Sequence, residues 1–323
     1  MKLSELVAYK NLLDLTSARA TQDTTSQDLN RIIHTVDSRE IQMSDHLLMH
    51  KNNLSQTFDL FEQELDNLKQ QLNEMITEAE KPMFQQSYRL YEEEKTHVDS
   101  EQMYKDHTEY VLNRRLKVTD ENYQIFLARL MTYTNWQHAG MVLHPGRESF
   151  INHMVTNDPL YIVDENYDLI QPAISQFNEF YQTRLRISTV KEAANTPWLT
   201  KIPNGQLGVC LAYNFFNYKP FEVVKQYLFE IYQKLKPGGT LIMTFNDCDR
   251  YAAVQLVEQF YTAYTPGNML RGWANHVGFK EIFCYHNDGP STWIELQKPG
   301  DLTSLRGGQS LARILPKPVA ESK

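Results

Sequence analysis

The sequence predicts an α/β protein. An open, mostly parallel sheet ends in an antiparallel pair of strands, and an α-helical, coiled-coil-like region precedes it. Two observations carry this expectation. Residues 1–119 of the 323 contain no glycine and one proline, Pro82, with almost no strand-like alternation. From about Thr119 onward, short apolar runs alternate with helical stretches, the order of a parallel sheet with crossover helices.

In the helical region, apolar residues fall at Leu54, Phe58, Phe61, Leu65, Leu68, Leu72 and Met75, in alternating steps of four and three. That spacing is a heptad seam, and its flanks are rich in Glu, Asp, Gln and Lys, as a solvated helix face should be. The seam packs either on another helix of the same chain or on another chain. Residues 47–76 are thus the candidate contact for a homo-oligomer or a partner protein. Pro82 is expected to end the first helix, and a second runs from about Met83 to Arg115.

The body opens with "TDENYQIFLARLMTYTNW", in which Thr119 or Asp120 caps a helix carrying Ile125, Leu127, Leu130, Met131 and Tyr133. The strands that follow include "GMVL" ending at Leu143, "LYIV" ending at Val163, "GVCLA" ending at Ala212 and "GTLIMTF" ending at Phe245. "KEIFCYH" and "STWIELQ" close the series. The tight turn "NDGP" between them predicts an antiparallel hairpin. The stretch after Gly300 has turn-formers and no clear period, so it is expected to be loosely ordered. The expected organisation is a helical arm over 1–119, an α/β body over 120–300 and a tail over 301–323.

Composition excludes several classes. With 41% hydrophobic and 22% charged residues the chain reads as soluble and globular, and no apolar run approaches a membrane span. The start, "MKLSELVAYKNLLDL", lacks the continuous apolar stretch of a secretion signal. Cys210, Cys248 and Cys284 are few and far apart, which suggests reduced thiols in a cytoplasmic setting and neither a disulfide framework nor a metal site. The net charge of −8 divides into −7 over residues 1–119 and −1 over the rest. Neither half is a basic body, so a nucleic acid partner is disfavoured.

The segment Phe221 to Asp247, "FEVVKQYLFEIYQKLKPGGTLIMTFND", is the most specific. An amphipathic helix carrying Val224, Tyr227, Leu228, Ile231 and Leu235 ends at Lys236-Pro237-Gly238-Gly239, and a buried strand follows at once. This arrangement resembles the turn before the fifth strand of class I S-adenosylmethionine-dependent methyltransferases. Downstream, Val277-Gly278-Phe279 and the two closing strands look like that family's last turn and hairpin. Upstream, "LYIVDENYDLIQPA" looks like its second strand and following helix. The resemblance covers about residues 120–299. It implies a Rossmann-like fold, S-adenosyl-L-methionine as cofactor, and methyl transfer to a small molecule or a protein. A catalytically inactive relative, using its helical arm for assembly, is the alternative. A nicotinamide dehydrogenase shares the sheet but predicts a glycine fingerprint that is missing here.

Site residues follow from the resemblance and from where ligands bind in such sheets, beyond the carboxyl ends of the strands. Asp164 ends the second strand, and its carboxylate suits two ribose hydroxyls, or else it caps the next helix; Glu165 is the fallback one residue on. In the loop "VLHPGRESF" after the first strand, His144, Gly146 and Arg147 are cofactor-binding candidates. Only Gly146 keeps a glycine of the family's loop, and His144 and Glu148 stand where glycines let the backbone approach the cofactor. After the fourth strand, Tyr213 and Asn214, with Phe215, line a pocket or fill the core. Candidate bases are Asn246, Asp247 and Asp249 after the fifth strand and His286 after the sixth. His144, Tyr213, Phe215, Phe216, Tyr285 and His286 give the expected rim an aromatic character.

Overall fold

The computed structural model describes residues 2–22, 45–97, 120–145, 150–165, 167–175, 177–193, 196–259, 262–286 and 290–302. Two helices come first, α1 (Leu3–Gln22) and α2 (Asp45–His97). The body then runs α3 (Asp120–Tyr133), β1 (Ala139–Leu143), α4 (Phe150–His153), β2 (Leu160–Asp164), α5 (Tyr167–Ile174), α6 (Glu179–Gln182), β3 (Leu185–Thr189) and β4 (Leu207–Ala212). It finishes with α7 (Phe221–Lys234), β5 (Leu235–Asn246), α8 (Tyr251–Glu258), α9 (Gly267–Val277), β6 (Lys280–His286) and β7 (Ser291–Gln297).

The seven strands form one sheet in the order β3-β2-β1-β4-β5-β7-β6. The first five are parallel; β7 pairs antiparallel with both β5 and β6. Strand alternation sends side chains to two cores. Met141, Leu143, Cys210, Ala212, Leu241, Met243 and Phe245 face one core with α7 and α9. Val142, Val209, Leu211, Tyr213 and Ile242 face the other with α3, α4 and α5. Among the described residues no helix is long and apolar enough to cross a membrane.

The two N-terminal helices pack on the body through a third cluster, in which Leu3, Leu6 and Val7 of α1 and Ile76 of α2 meet Ala253, Val254, Val257 and Tyr264. Polar contacts fasten the same junction. Glu258 accepts from the Ser4 N–H at 3.0 Å and from its hydroxyl at 2.7 Å, at the positive end of the α1 dipole. The Tyr264 N–H donates to Ser87 Oγ, and its phenol donates to Glu80 Oε1, both at 2.8 Å.

Three local expectations need correction. Pro82 does not end a helix, because α2 continues through it to His97. A helix-interior proline costs about 3 kcal/mol. Here Ile76 and Ala79 before it and Met83 and Phe84 after it are packed in one cluster, and that packing holds the helix across the break. In α3 the buried residues are Phe126 and Leu130, whereas Met131 is half exposed. The helix before β5 stops at Lys234, and Leu235 already pairs with Leu207 of β4. Gly238 then bulges at φ +77°, and a Cβ on Gly239 would lie 2.7 Å from the Leu207 carbonyl oxygen. Gly238 therefore supplies the turn, and Gly239 the close approach of two strands. The expected helix beyond His97 (98–119) and the tail from residue 303 lie outside the described residues.

Candidate active site

Strand order reverses between β1 and β4, and the crevice beyond their carboxyl ends is where open parallel sheets bind ligands. Two non-glycine residues stand there in left-handed conformation, His144 at φ +53° after β1 and Asn214 at φ +53° after β4. Each costs on the order of 1–2 kcal/mol, less for asparagine. Local contacts offset that cost. The His144 N–H donates to the Val163 carbonyl at 2.8 Å, and its ring Nδ1 lies 2.9 Å from Asp164 Oδ2. The Asn214 N–H donates to Thr244 Oγ1 at 2.7 Å. Asp164 is buried at the end of β2, where it pairs with Thr189 of β3. Asn214 is 2% exposed, and its Nδ2 has no hydrogen-bond partner.

Beside this pair lies a buried ion cluster that sequence reasoning missed. Lys219 bonds Glu165 and reaches Glu192 Oε1 at 3.1 Å. Glu192 also accepts from the Tyr227 phenol at 2.6 Å and from the phenol of Tyr91, which α2 contributes. Burial pulls the Lys219 ammonium pKa down, but Glu165 and Glu192 outweigh it and leave the group above its ordinary value. Burial pushes the Tyr227 phenol up, and Glu192 adds to that. The ring of Phe215 backs the group, 5.0 Å from Tyr227, 6.1 Å from His144 and 5.2 Å from the Lys219 ammonium.

The structure therefore brings His144, Asp164 and Asn214 to the ends of three adjacent strands, and places Glu165 next to them in a salt bridge. Tyr213 is buried against the rings of Phe150 (4.9 Å) and Trp293 (6.5 Å), on the opposite face of the sheet from Phe215. Gly146 and Arg147, with Glu148, lie outside the described residues.

The candidate bases meet in a second place on the same edge of the sheet. Asp247, Asp249, Arg250, Arg271 and His286 line an open cleft of about 540 Å³, bordered on one side by Asn11, Asp14 and Leu15 of α1. Arg271 reaches Asp247 Oδ2 at 3.3 Å and Glu281 Oε2 at 3.2 Å. Burial holds the Asp249 carboxyl above its usual range, against the Asn268 N–H that donates to it at 2.7 Å. Burial, then the charge of Arg250, holds the His286 imidazole below its usual value, and its Nδ1 lies 3.0 Å from Thr292 Oγ1. Asn246 is not part of this group. Its amide is buried and exchanges hydrogen bonds with Asn217. Tyr285 also points elsewhere, donating to Asn122 at 3.0 Å.

No family model matches the chain, and no curated protein does. Similar solved structures are mostly S-adenosylmethionine-dependent methyltransferases. One from Archaeoglobus fulgidus is 14% identical over 56% of this chain and 95% of its own, with a TM-score of 0.42. One from Mesorhizobium loti is 11% identical over 54% and 96%, with a TM-score of 0.42. A geranyl diphosphate C-methyltransferase from Streptomyces coelicolor, solved with Mg2+, geranyl diphosphate and S-adenosyl-L-homocysteine, is 10% identical over 55% and 80%, with a TM-score of 0.43. The fold rests on the chain's own topology, a seven-stranded sheet in the order β3-β2-β1-β4-β5-β7-β6 with β7 alone antiparallel, which is the Rossmann-like sheet and closing hairpin that the sequence resemblance implied. In this α/β body the parallel strands and the closing hairpin stand in the expected order. The matched share of the chain is little more than half.

Proposed function

We propose that the chain binds S-adenosyl-L-methionine at the crevice between β1 and β4 and transfers its methyl group to a small molecule or a protein side chain. The observation that carries this reading is the Asp164 carboxylate. It is buried at the end of β2, one strand from the switch point, where a carboxylate accepts hydrogen bonds from two ribose hydroxyls. The unpartnered Asn214 Nδ2 supplies a buried donor at the end of β4. Gly146 and Arg147, from the loop after β1, are the other proposed cofactor contacts, and Tyr213 anchors the turn at Asn214 by packing on Phe150 and Trp293. The His144 ring must turn away from Asp164 to release the carboxylate. Glu165, held by Lys219, stays the fallback.

The cofactor supplies an electrophilic methyl on a sulfonium, so the protein has only to orient an acceptor, exclude water and remove a proton where the nucleophile carries one. The cleft at Asp247, Asp249 and His286 is the proposed place for the acceptor. A His286 pKa held below its usual value leaves a neutral imidazole able to take that proton.

A second reading has an observation of its own. The His144–Asp164 contact at 2.9 Å, made by a histidine in a strained conformation, occupies the very carboxylate the cofactor needs. That favours a methyltransferase-like body without catalysis. Calorimetric titration of the full chain with S-adenosylhomocysteine separates the two. Binding that disappears in Asp164→Ala is the expected result. Absence of heat at millimolar ligand leaves the non-catalytic reading.

A further inference from the structure

The exposed stripe along α2 is independent of the site. This helix spans 53 residues, about 80 Å at 1.5 Å per residue. Its C-terminal part is held by α1 and α8 through Ile76, Ala79, Met83 and Phe84, with Tyr91 entering the main core. From Phe61 to Met75 the heptad seam faces outward. Phe61 is 58% exposed, Leu68 53% and Met75 46%, with Leu65 and Leu72 partly covered between them. Scattered apolar residues on a surface are ordinary, but five in alternating steps of four and three on one face of one helix are the seam of a coiled coil.

We infer that this seam pairs with the same seam of a second copy of the chain, forming a symmetric dimer through a coiled coil between residues 54 and 75. The flanking charges identify the occupant. Position by position, Glu62 and Lys69 fall at e, and Glu64 falls at g, next to the seam residues Phe61, Leu65 and Leu68. In a parallel pair, Glu64 of one copy stands opposite Lys69 of the other. In an antiparallel pair, Glu62 does. Either way the two-fold axis repeats the attraction, so the surface is complementary to itself. The methyltransferase-like body plays no part in this contact, and the proposal stands or falls apart from the one on methyl transfer.

Sedimentation equilibrium of the full chain tests it. The expected result is twice the chain mass, returning to the chain mass in Leu68→Asp with unchanged circular dichroism. Lys69→Glu, at a half-buried position outside the hydrophobic clusters, is expected to weaken the dimer at least tenfold. The variant Glu62→Lys/Glu64→Lys is expected to do the same, and an equimolar mixture of the two charge variants to regain the dimer. A monomeric full chain at tens of micromolar overturns the proposal and assigns the cover of the seam to the chain itself. A dimer that survives Leu68→Asp, or charge variants that fail to recover on mixing, also overturns it.

Discussion

Replacing Lys219 by methionine is the sharpest test of how the crevice is built. Lys219 Nζ lies 3.1 Å from Glu192 Oε1, and at an effective dielectric of about 20 that separation corresponds to about 5 kcal/mol of gross attraction. Desolvation of both groups cancels part of it. What remains after truncation is a buried carboxylate that has lost its counter-charge, and breaking such a pair costs about 3–5 kcal/mol. Glu192 keeps the donors Tyr91 and Tyr227, which places the expected loss near the lower end, about 3 kcal/mol. Equilibrium urea unfolding reads it, followed by the summed fluorescence of the four tryptophans, of which Trp198 lies with its ring 4.9 Å from that of Tyr227. Adding Glu192→Gln removes the stranded charge, so the double variant is expected to be more stable than Lys219→Met alone. A loss below about 1 kcal/mol, or a double variant no better than the single one, refutes the reasoning.

Four further outcomes follow from the same geometry. Tyr91→Phe removes one donor from the buried Glu192 and is expected to cost about 1.5–3 kcal/mol in the same unfolding assay. Gly239→Ala forces a Cβ to 2.7 Å from the Leu207 carbonyl, backbone that cannot retreat, with an expected cost of about 1–3 kcal/mol and a lower thermal midpoint. The Tyr133 phenol, half-buried and bonded to Glu295, is pushed up to about 12; the folded state favours its neutral form, so its contribution is whole below pH about 10 and is lost as the pH rises through 12. An ultraviolet titration compared with that of Tyr133→Phe separates its late ionisation from those of Tyr181, Tyr227 and Tyr264, and Glu295→Gln is expected to bring it down only part of the way, because burial, the larger cause, remains. For His286 the sign is opposite in direction: a lowered folded pKa gives stability that is present above pH about 6.5 and lost on acidification. An NMR titration midpoint at or above about 6.5 for its ring contradicts the assigned environment.

Much of the fold was legible because β1, β2, β4 and β5 are buried on both faces, and such strands read as short apolar runs bounded by turn residues. The antiparallel hairpin was legible from its turn. Pro82 misled because propensity is local, whereas the packing of Ile76, Ala79, Met83 and Phe84 is set by partners nearly two hundred residues away in sequence. Asp164 stood out as an acid at a strand end. Its contact with His144 did not, because a histidine in the left-handed region leaves no mark in sequence. Lys219, Glu192 and Tyr91 stayed hidden for another reason. Lysine and glutamate are ordinarily solvated, and only the fold brings them together. The cleft was half legible. Asp247, Asp249 and His286 follow strand ends, but Arg271 and the wall from α1 come from tertiary packing.

The central claim is that Asp164 holds the ribose of a methyl-donor nucleoside at the end of β2. A crystal structure of the full chain with S-adenosylhomocysteine tests it most directly. The predicted result is a nucleoside beyond β1 and β4, its two ribose hydroxyls on the Asp164 carboxylate and the His144 ring turned out of its 2.9 Å contact. A nucleoside bound elsewhere, or an intact His144–Asp164 pair with no ligand beside it at saturating concentration, contradicts the claim.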